Sequence, residues 1–208
     1  MFTGRNYIAK KPILVPEGYN LEQVAEAYAG FFTYSISGLE DLNGELFESK
    51  KNEFLEAASD PHQYQDEYDF LLDLPEEATL EGYLFPDTYE IFNDSKPDFL
   101  IRKMLDNFEI KLTDDIKNEI VAQDKTLFEI IVMSSIVQKE VSGPYMEDVA
   151  GVFYNRLEIG RKLESDTTVN YITGKNDPTS SISDTQIDSL YNTYVYPGLP
   201  PGPISNPG

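Results

Sequence analysis

Carboxylates are the side chains of this sequence whose type and setting point to bond-breaking chemistry, and Glu140 has the most unusual setting among them. Counted along a helix that starts at Thr126, it falls three and four residues after Val137 and Ile136 and seven after Met133, which places it on the apolar stripe. It also falls in the last helical turn, where the partial negative charge of the helix dipole opposes ionisation. Burial and dipole would both favour the protonated carboxyl, the form that a general acid needs near neutral pH. The simpler alternative is a carboxylate that reaches solvent at a frayed helix end. Gln138 and Lys139 are expected on other faces.

Acid/base chemistry on a glycosidic bond usually takes two carboxyl groups, one to protonate the leaving oxygen and one to activate water or attack the sugar. Asp166, in Glu164-Ser165-Asp166-Thr167-Thr168, is the second candidate, although an N-cap for the following short element explains it equally simply. Glu81 and Asp87 are the remaining candidates. Tyr191-Asn192-Thr193-Tyr194, with Gly198-Leu199-Pro200-Pro201-Gly202-Pro203, combines aromatic platforms, amides and stiff backbone. That mixture suits a sugar-lined cleft and also an ordinary packed loop.

Other chemistries lack their parts. The single histidine, His62, follows Pro61 in a polar segment and reads as a surface residue, so neither a Ser-His-Asp triad nor a multi-histidine metal site can be assembled. The absence of cysteine removes thiolate nucleophiles, disulfides and Cys-based zinc sites. No P-loop, GxGxxG or EF-hand pattern occurs, so no metal and no cofactor are expected. A formal charge of -21 repels a phosphate backbone, which argues against nucleic acid.

The elements that must position these residues follow from periodicity and caps. Pro12-Ile13-Leu14-Val15-Pro16 predicts a short edge strand, and Asn20-Leu21-Glu22-Gln23 a capping box ahead of a helix carrying Val24, Ala25 and Tyr28. A polar segment with Gly38 and Gly44 precedes a second helix over Ser49 to Ala58, with Phe54 and Leu55 on its buried side. Leu80 to Tyr89 predicts two short extended pieces joined by a turn. Ser95-Lys96-Pro97-Asp98 opens a helix through Phe108, Thr113 to Ala122 gives another, and Thr126-Leu127-Phe128-Glu129 is a capping box for the apolar, central helix that ends by Gly143-Pro144. A helix over Met146 to Arg161 should set Val149, Val152, Phe153 and Leu157 on one face. Ser183 to Gln186 begins a short one, and the tail from Tyr191 is irregular. The expected class is α+β: a small module over residues 1–75, then a helix-rich domain over 76–208, with the two in contact. The longest apolar stretch, Leu127 to Val137, is too short and too interrupted to span a bilayer.

Five motifs in order resemble the MltG (YceG-like) endolytic transglycosylase family. They are Leu80 to Tyr89 (LEGYLFPDTY), Ser135-Ile136-Val137-Gln138-Lys139-Glu140, Val152-Phe153-Tyr154-Asn155-Arg156-Leu157, Ser165-Asp166-Thr167-Thr168-Val169, and Tyr191 to Tyr194 with Gly198 to Ile204. Val15-Pro16-Glu17-Gly18-Tyr19 and its helix look like the LysM-like module that precedes the catalytic domain there. The resemblance implies cleavage of peptidoglycan glycan strands at N-acetylmuramic acid to leave 1,6-anhydro ends, which limits nascent strand length. Glu140 is the acid/base carried over. Asp166, Asn155, Tyr191, Asn192 and Tyr194, which lie in these motifs, are carried over as substrate-binding positions. Many relatives have glutamate where Gln138 stands, and an amide cannot exchange the proton. The sugar's own C6 hydroxyl can replace water, so a single carboxylate suffices, and Asp166 becomes an orienting or binding residue.

The resemblance further implies peptidoglycan synthases as partners, an N-terminal membrane anchor and action on the extracytoplasmic face of the cell membrane. Met1 to Asn6 carries no such anchor, and relatives continue beyond Asn206-Pro207-Gly208, so the chain is expected to be a truncated ectodomain. Two other readings stay open. One is a muramidase that uses water with Asp166 or Glu81 as base, and the other is a non-catalytic glycan-binding or scaffold module of the wall-synthesis machinery.

Overall fold

The computed structural model describes residues 10–35, 44–175 and 177–208. Gly38 therefore lies outside the described residues. Strand β1 (Lys10–Val15) pairs antiparallel with β2 (Asp87–Phe92), so that Ile13 stands opposite Tyr89 and Val15 opposite Asp87. Alternation does the sorting: Ile13, Val15, Tyr89 and Ile91 turn inward, while Leu14 is left exposed. Helix α1 (Leu21–Ser35) begins with the expected reciprocal cap, Asn20 Oδ1 accepting from the Gln23 N–H at 2.9 Å and Gln23 Oε1 from the Asn20 N–H at 3.0 Å. Helix α2 (Glu45–Ser59) packs on it through Tyr28 and Phe54, whose rings lie 5.3 Å apart.

Helices α3 (Pro97–Lys111), α4 (Asp114–Ala122), α5 (Leu127–Glu140), α6 (Met146–Glu158) and α7 (Asp166–Thr173) follow. Proline at the first position opens α3, Thr113 caps α4, and Thr126 and Glu129 form the capping box of α5. One apolar core runs from Ile13 to Ile131, and a second gathers Val132 to Val137, Phe153, Leu163 and Ile204. Helix α5 supplies both, which is why it is apolar on nearly every side. Its buried Ser135 is satisfied: the hydroxyl donates to Val132 O at 2.7 Å and accepts from Ile204 N–H at 3.0 Å. The first core and the sheet both cross position 75, so packing divides within α5.

Several local expectations are corrected. Residues 80–84 form turns, and only the second of the two extended pieces is a strand, reaching Phe92. Gly82 sits there at φ +87°, where an added Cβ would lie 2.6 Å from Pro203 and 2.7 Å from Ile131. Helix α2 starts at Glu45, after Gly44 in the left-handed region. Helix α3 has Lys96 as its N-cap, as proline at its first position requires, while the Ser95 hydroxyl accepts from Phe92 N–H at 2.8 Å. On α6, Val152 is 53% exposed while Phe153 is buried, so the apolar face is narrower than its spacing suggested.

The chain's end locks these parts together. Asn206 is fully buried; it accepts from the Leu84 N–H through Oδ1 (3.0 Å) and from the Gly18 N–H through its carbonyl (2.9 Å), and it donates its own N–H to Tyr19 O (2.7 Å). Ser205 donates to Ser135 O at 3.1 Å.

Candidate active site

Glu140 closes α5 and is exposed, so the expected burial of this carboxyl is overturned: the apolar stripe ends one turn earlier, at Ile136 and Val137. What holds the carboxylate is a cluster of hydroxyls. Ser165, the N-cap of α7, donates to Glu140 Oε1; Thr167 Oγ1 lies 2.8 Å from Ser165 Oγ and 3.4 Å from the same carboxylate oxygen. The cluster continues inward, where Ser165 N–H donates to Thr193 Oγ1 at 3.0 Å and Thr168 Oγ1 meets that oxygen at 2.9 Å. Ser165, Thr168 and Thr193 are all buried, so these bonds fix α7 and the 191–194 loop against the end of α5.

The approach to Ser165 is set by Glu164, a non-glycine residue at φ 53°. That conformation costs about 1–2 kcal/mol. It is held by Glu164 N–H donating to Thr193 O (3.1 Å) and by Arg156, which donates to Glu164 Oε2 (3.0 Å) and Leu163 O (2.5 Å).

Asp166 is the first residue of α7 and not its cap. Its Oδ1 accepts from Ser180 N–H at 3.0 Å and from the Tyr194 hydroxyl at 3.1 Å. Burial, and then the bond to Asp166, push the Tyr194 hydroxyl up to about 12, so it remains a donor. Asn192 is fully buried: its amide nitrogen donates to Ile187 O (2.8 Å) and Thr185 O (3.2 Å), and its Oδ1 accepts from Tyr194 N–H (3.0 Å). It braces the loop that presents Tyr194. Asn155 is exposed on α6 and is not part of the lining of the cleft at Glu140. Tyr191 is half-buried against Tyr171, with ring centres 5.1 Å apart.

Glu140 and Asp166 line one cleft of about 760 Å³. Thr167, Asn170 and Tyr171 of α7 form one wall, Asn20, Gln23 and Glu26 at the start of α1 form another, and Ile204 contributes from the tail. Lys139 shares this cleft, contrary to the expectation of a separate face, and donates to Gly18 O at 3.3 Å. The lining carries the carboxylates of Glu22, Glu26, Glu140, Asp166 and Asp177 against only Lys139 and Lys175. Such a surface repels polyanions and offers many acceptors to a neutral, hydroxyl-rich ligand. Among the described residues no cluster of three or more His, Asp or Glu is placed to hold a metal ion.

Glu81 is not in that lining. It is 6% exposed, and both its oxygens accept from the Leu21 N–H, at 3.0 and 3.2 Å, with the Tyr171 hydroxyl at 3.5 Å. Burial drives its carboxyl up to about 8. Ser165, Thr167 and Tyr171 were missed as site residues by sequence reasoning. The cap of this element was sought at Asp166, and nothing local marks a neighbouring serine as a cap whose hydroxyl also serves a carboxylate in another helix.

A model of the YceG-like family matches residues 2–208. The chain is similar to the endolytic murein transglycosylase of Streptococcus pneumoniae, 34% identical over 220 residues that cover 95% of this chain and 37% of that protein. It is also similar to the endolytic murein transglycosylase of Bacillus subtilis, 35% identical over 203 residues, covering 94% and 53%. It thus spans about a third to a half of the length of the curated relatives it matches. The crystal structure of a yceG-like protein from Listeria monocytogenes superposes with a TM-score of 0.76 at 30% identity, covering 95% of this chain and 62% of that one.

Proposed function

Because this chain belongs to the YceG-like family, we propose that it carries the catalytic cleft of a lytic transglycosylase that cuts peptidoglycan glycan strands internally, with Glu140 as acid/base. The observation that carries this reading is the accessible Glu140 carboxylate, held by Ser165 and Thr167 in a cleft shared with Asp166. The names of the two murein transglycosylase relatives support the same activity and do not favour a non-catalytic scaffold.

In this mechanism the protonated Glu140 gives its proton to the glycosidic oxygen as the bond from muramyl C1 to that oxygen breaks. The carboxylate then takes the proton of the muramyl C6 hydroxyl as O6 bonds to C1, which closes the 1,6-anhydro ring and consumes no water. One carboxyl group therefore serves both steps. Asp166 and Tyr194, tied together beside it, are suited to hold sugar hydroxyls or the N-acetyl group.

The order β1, α1, α2, β2, with two helices beside a two-stranded antiparallel sheet, supports reading the N-terminal unit as LysM-like, its closing strand lying beyond residue 75. A peptidoglycan substrate places the reaction outside the cytoplasmic membrane. Among the described residues no helix is long and apolar enough to cross a membrane. Anchoring and synthase partners belong to the reading of the whole protein.

Glu140→Gln tests the mechanism. The exposed amide should leave the fold intact while strand cleavage falls by about 10² to 10⁴. Mass spectrometry of digested peptidoglycan should show anhydro-muramyl ends from the parent protein. Parental turnover by Glu140→Gln would remove this residue from the mechanism, and reducing muramyl ends would point to water as the acceptor.

A further inference from the structure

Tyr171 lines two clefts. One is the cleft at Glu140; the other, of about 800 Å³, has walls that include Phe128, Leu190, Tyr191, Pro201 and Pro203. The backbone joins them as well, since Pro203 lines the second cleft and Ile204, the next residue, lines the first. We propose that the second cleft is a saccharide subsite that holds the same glycan strand at a distance from the bond being cut. This inference rests on the transglycosylase reading of the Glu140 cleft.

Three observations carry it. A strand cut internally has sugars on both sides of the reacting bond, and a site that grips several of them must extend beyond the acid/base. The second cleft adjoins the first, with Tyr171 in both linings and the consecutive residues Pro203 and Ile204 one in each.

The chemistry of the walls fits a sugar. Tyr171 and Tyr191 form a tilted ring pair, Leu190 is 63% exposed, and the exposed Pro201 adds stiff apolar surface, which together suit the C–H faces of pyranose rings. Ser189 and the carboxylates of Glu76 and Glu77 at the rim supply acceptors for hydroxyl and amide hydrogens. The same carboxylates disfavour a polyanionic occupant.

The shared wall is also fixed in advance. Glu81 lies buried beside Tyr171, accepting from its hydroxyl and from the Leu21 N–H that opens α1, so the ridge between the clefts is tied to the N-terminal unit. A ridge already held in place loses little freedom when a ligand binds.

Binding to uncharged strands of alternating N-acetylglucosamine and N-acetylmuramic acid, their lactyl carboxyls capped as amides, tests the subsite. Strands of increasing length are titrated against the full chain carrying Glu140→Gln, and against the same protein with Leu190→Ser or Gly202→Ala added. Leu190 is exposed and its replacement spares the core. The new Cβ at position 202 would lie 2.9 Å from the Tyr191 hydroxyl and shift that ring. Affinity should rise with length in the Glu140→Gln protein, and the ratio of long-strand to short-strand affinity should fall roughly threefold to tenfold in each double variant. A full length-dependent gain in both double variants overturns the subsite, and so does the absence of any gain in the Glu140→Gln protein. Failure of the transglycosylase reading appears separately, as reducing ends among the products of the parent protein.

Discussion

The hydroxyl of Ser165 donates to a carboxylate oxygen of Glu140, joining the N-cap of α7 to the last turn of α5 across 25 positions of sequence. The bond aims an otherwise exposed side chain into the cleft. Ser165→Ala should therefore lower the cleavage rate by roughly tenfold to a hundredfold, the range expected for losing a hydrogen bond to a charged group, with a smaller change in KM. Ser165→Thr retains a hydroxyl and should recover much of the rate. Steady-state kinetics on soluble strands checks both, and equal losses in the two variants would assign Ser165 to packing alone.

Tyr194 reaches Asp166 across the cleft wall, and its loop is braced by buried Asn192. Tyr194→Phe removes one hydrogen bond worth about 1 kcal/mol, so the thermal midpoint should move by only about 2–4 °C. Strand binding should weaken more than that shift suggests, because Asp166 is then positioned by Ser180 N–H alone. Tyr194→Ala should enlarge the same effect. Equal proportional losses of binding and stability would make Tyr194 a packing residue.

Glu81 gives a pH signature in stability. Its carboxyl is driven up to about 8 by burial, against weaker opposing pulls from the Leu21 N–H, the Tyr171 hydroxyl, the Gly82 N–H and Lys139. Between about pH 4.5 and pH 8 the folded protein keeps a proton that the unfolded chain has released, so this group lowers stability progressively as pH rises through that window. Glu81→Gln cannot ionise and can still accept from Leu21 N–H. Its thermal midpoint relative to the parent should climb from pH 4.5 to pH 8 and then level off. A difference that does not change with pH would mean that Glu81 is already ionised in the folded protein.

Gly82→Ala attacks the packing of the tail. The new methyl would meet Pro203 and Ile131 at under 3 Å, at a positive φ that side chains rarely adopt. Overpacking and the left-handed backbone together should cost about 2–5 kcal/mol, measured as a drop in the denaturant midpoint. Because residues 203–206 then lose their seat, glycan binding should fall with stability. An unchanged midpoint would show that the tail can shift without loss.

Sequence alone determined what depends on neighbours within one or two helical turns. The capping boxes at Asn20 and Thr126, proline at the start of α3, the alternation of Ile13 and Val15, and the position of Glu140 in the last turn of α5 are local relations fixed by backbone geometry. The ordered motifs were legible for the same reason, as short strings of residue types. The tertiary structure alone decided whether Glu140 is buried, since its side chain leaves the stripe where the helix ends and meets Ser165 from elsewhere in the chain. It also decided that Glu81 is enclosed by α1, 60 positions away, and that Asn206 holds Leu84 and Tyr19 at separations of 122 and 187. Periodicity records which residues share a face of one element. It carries no register between elements distant in sequence, because that register is set by the joint packing of two cores around α5.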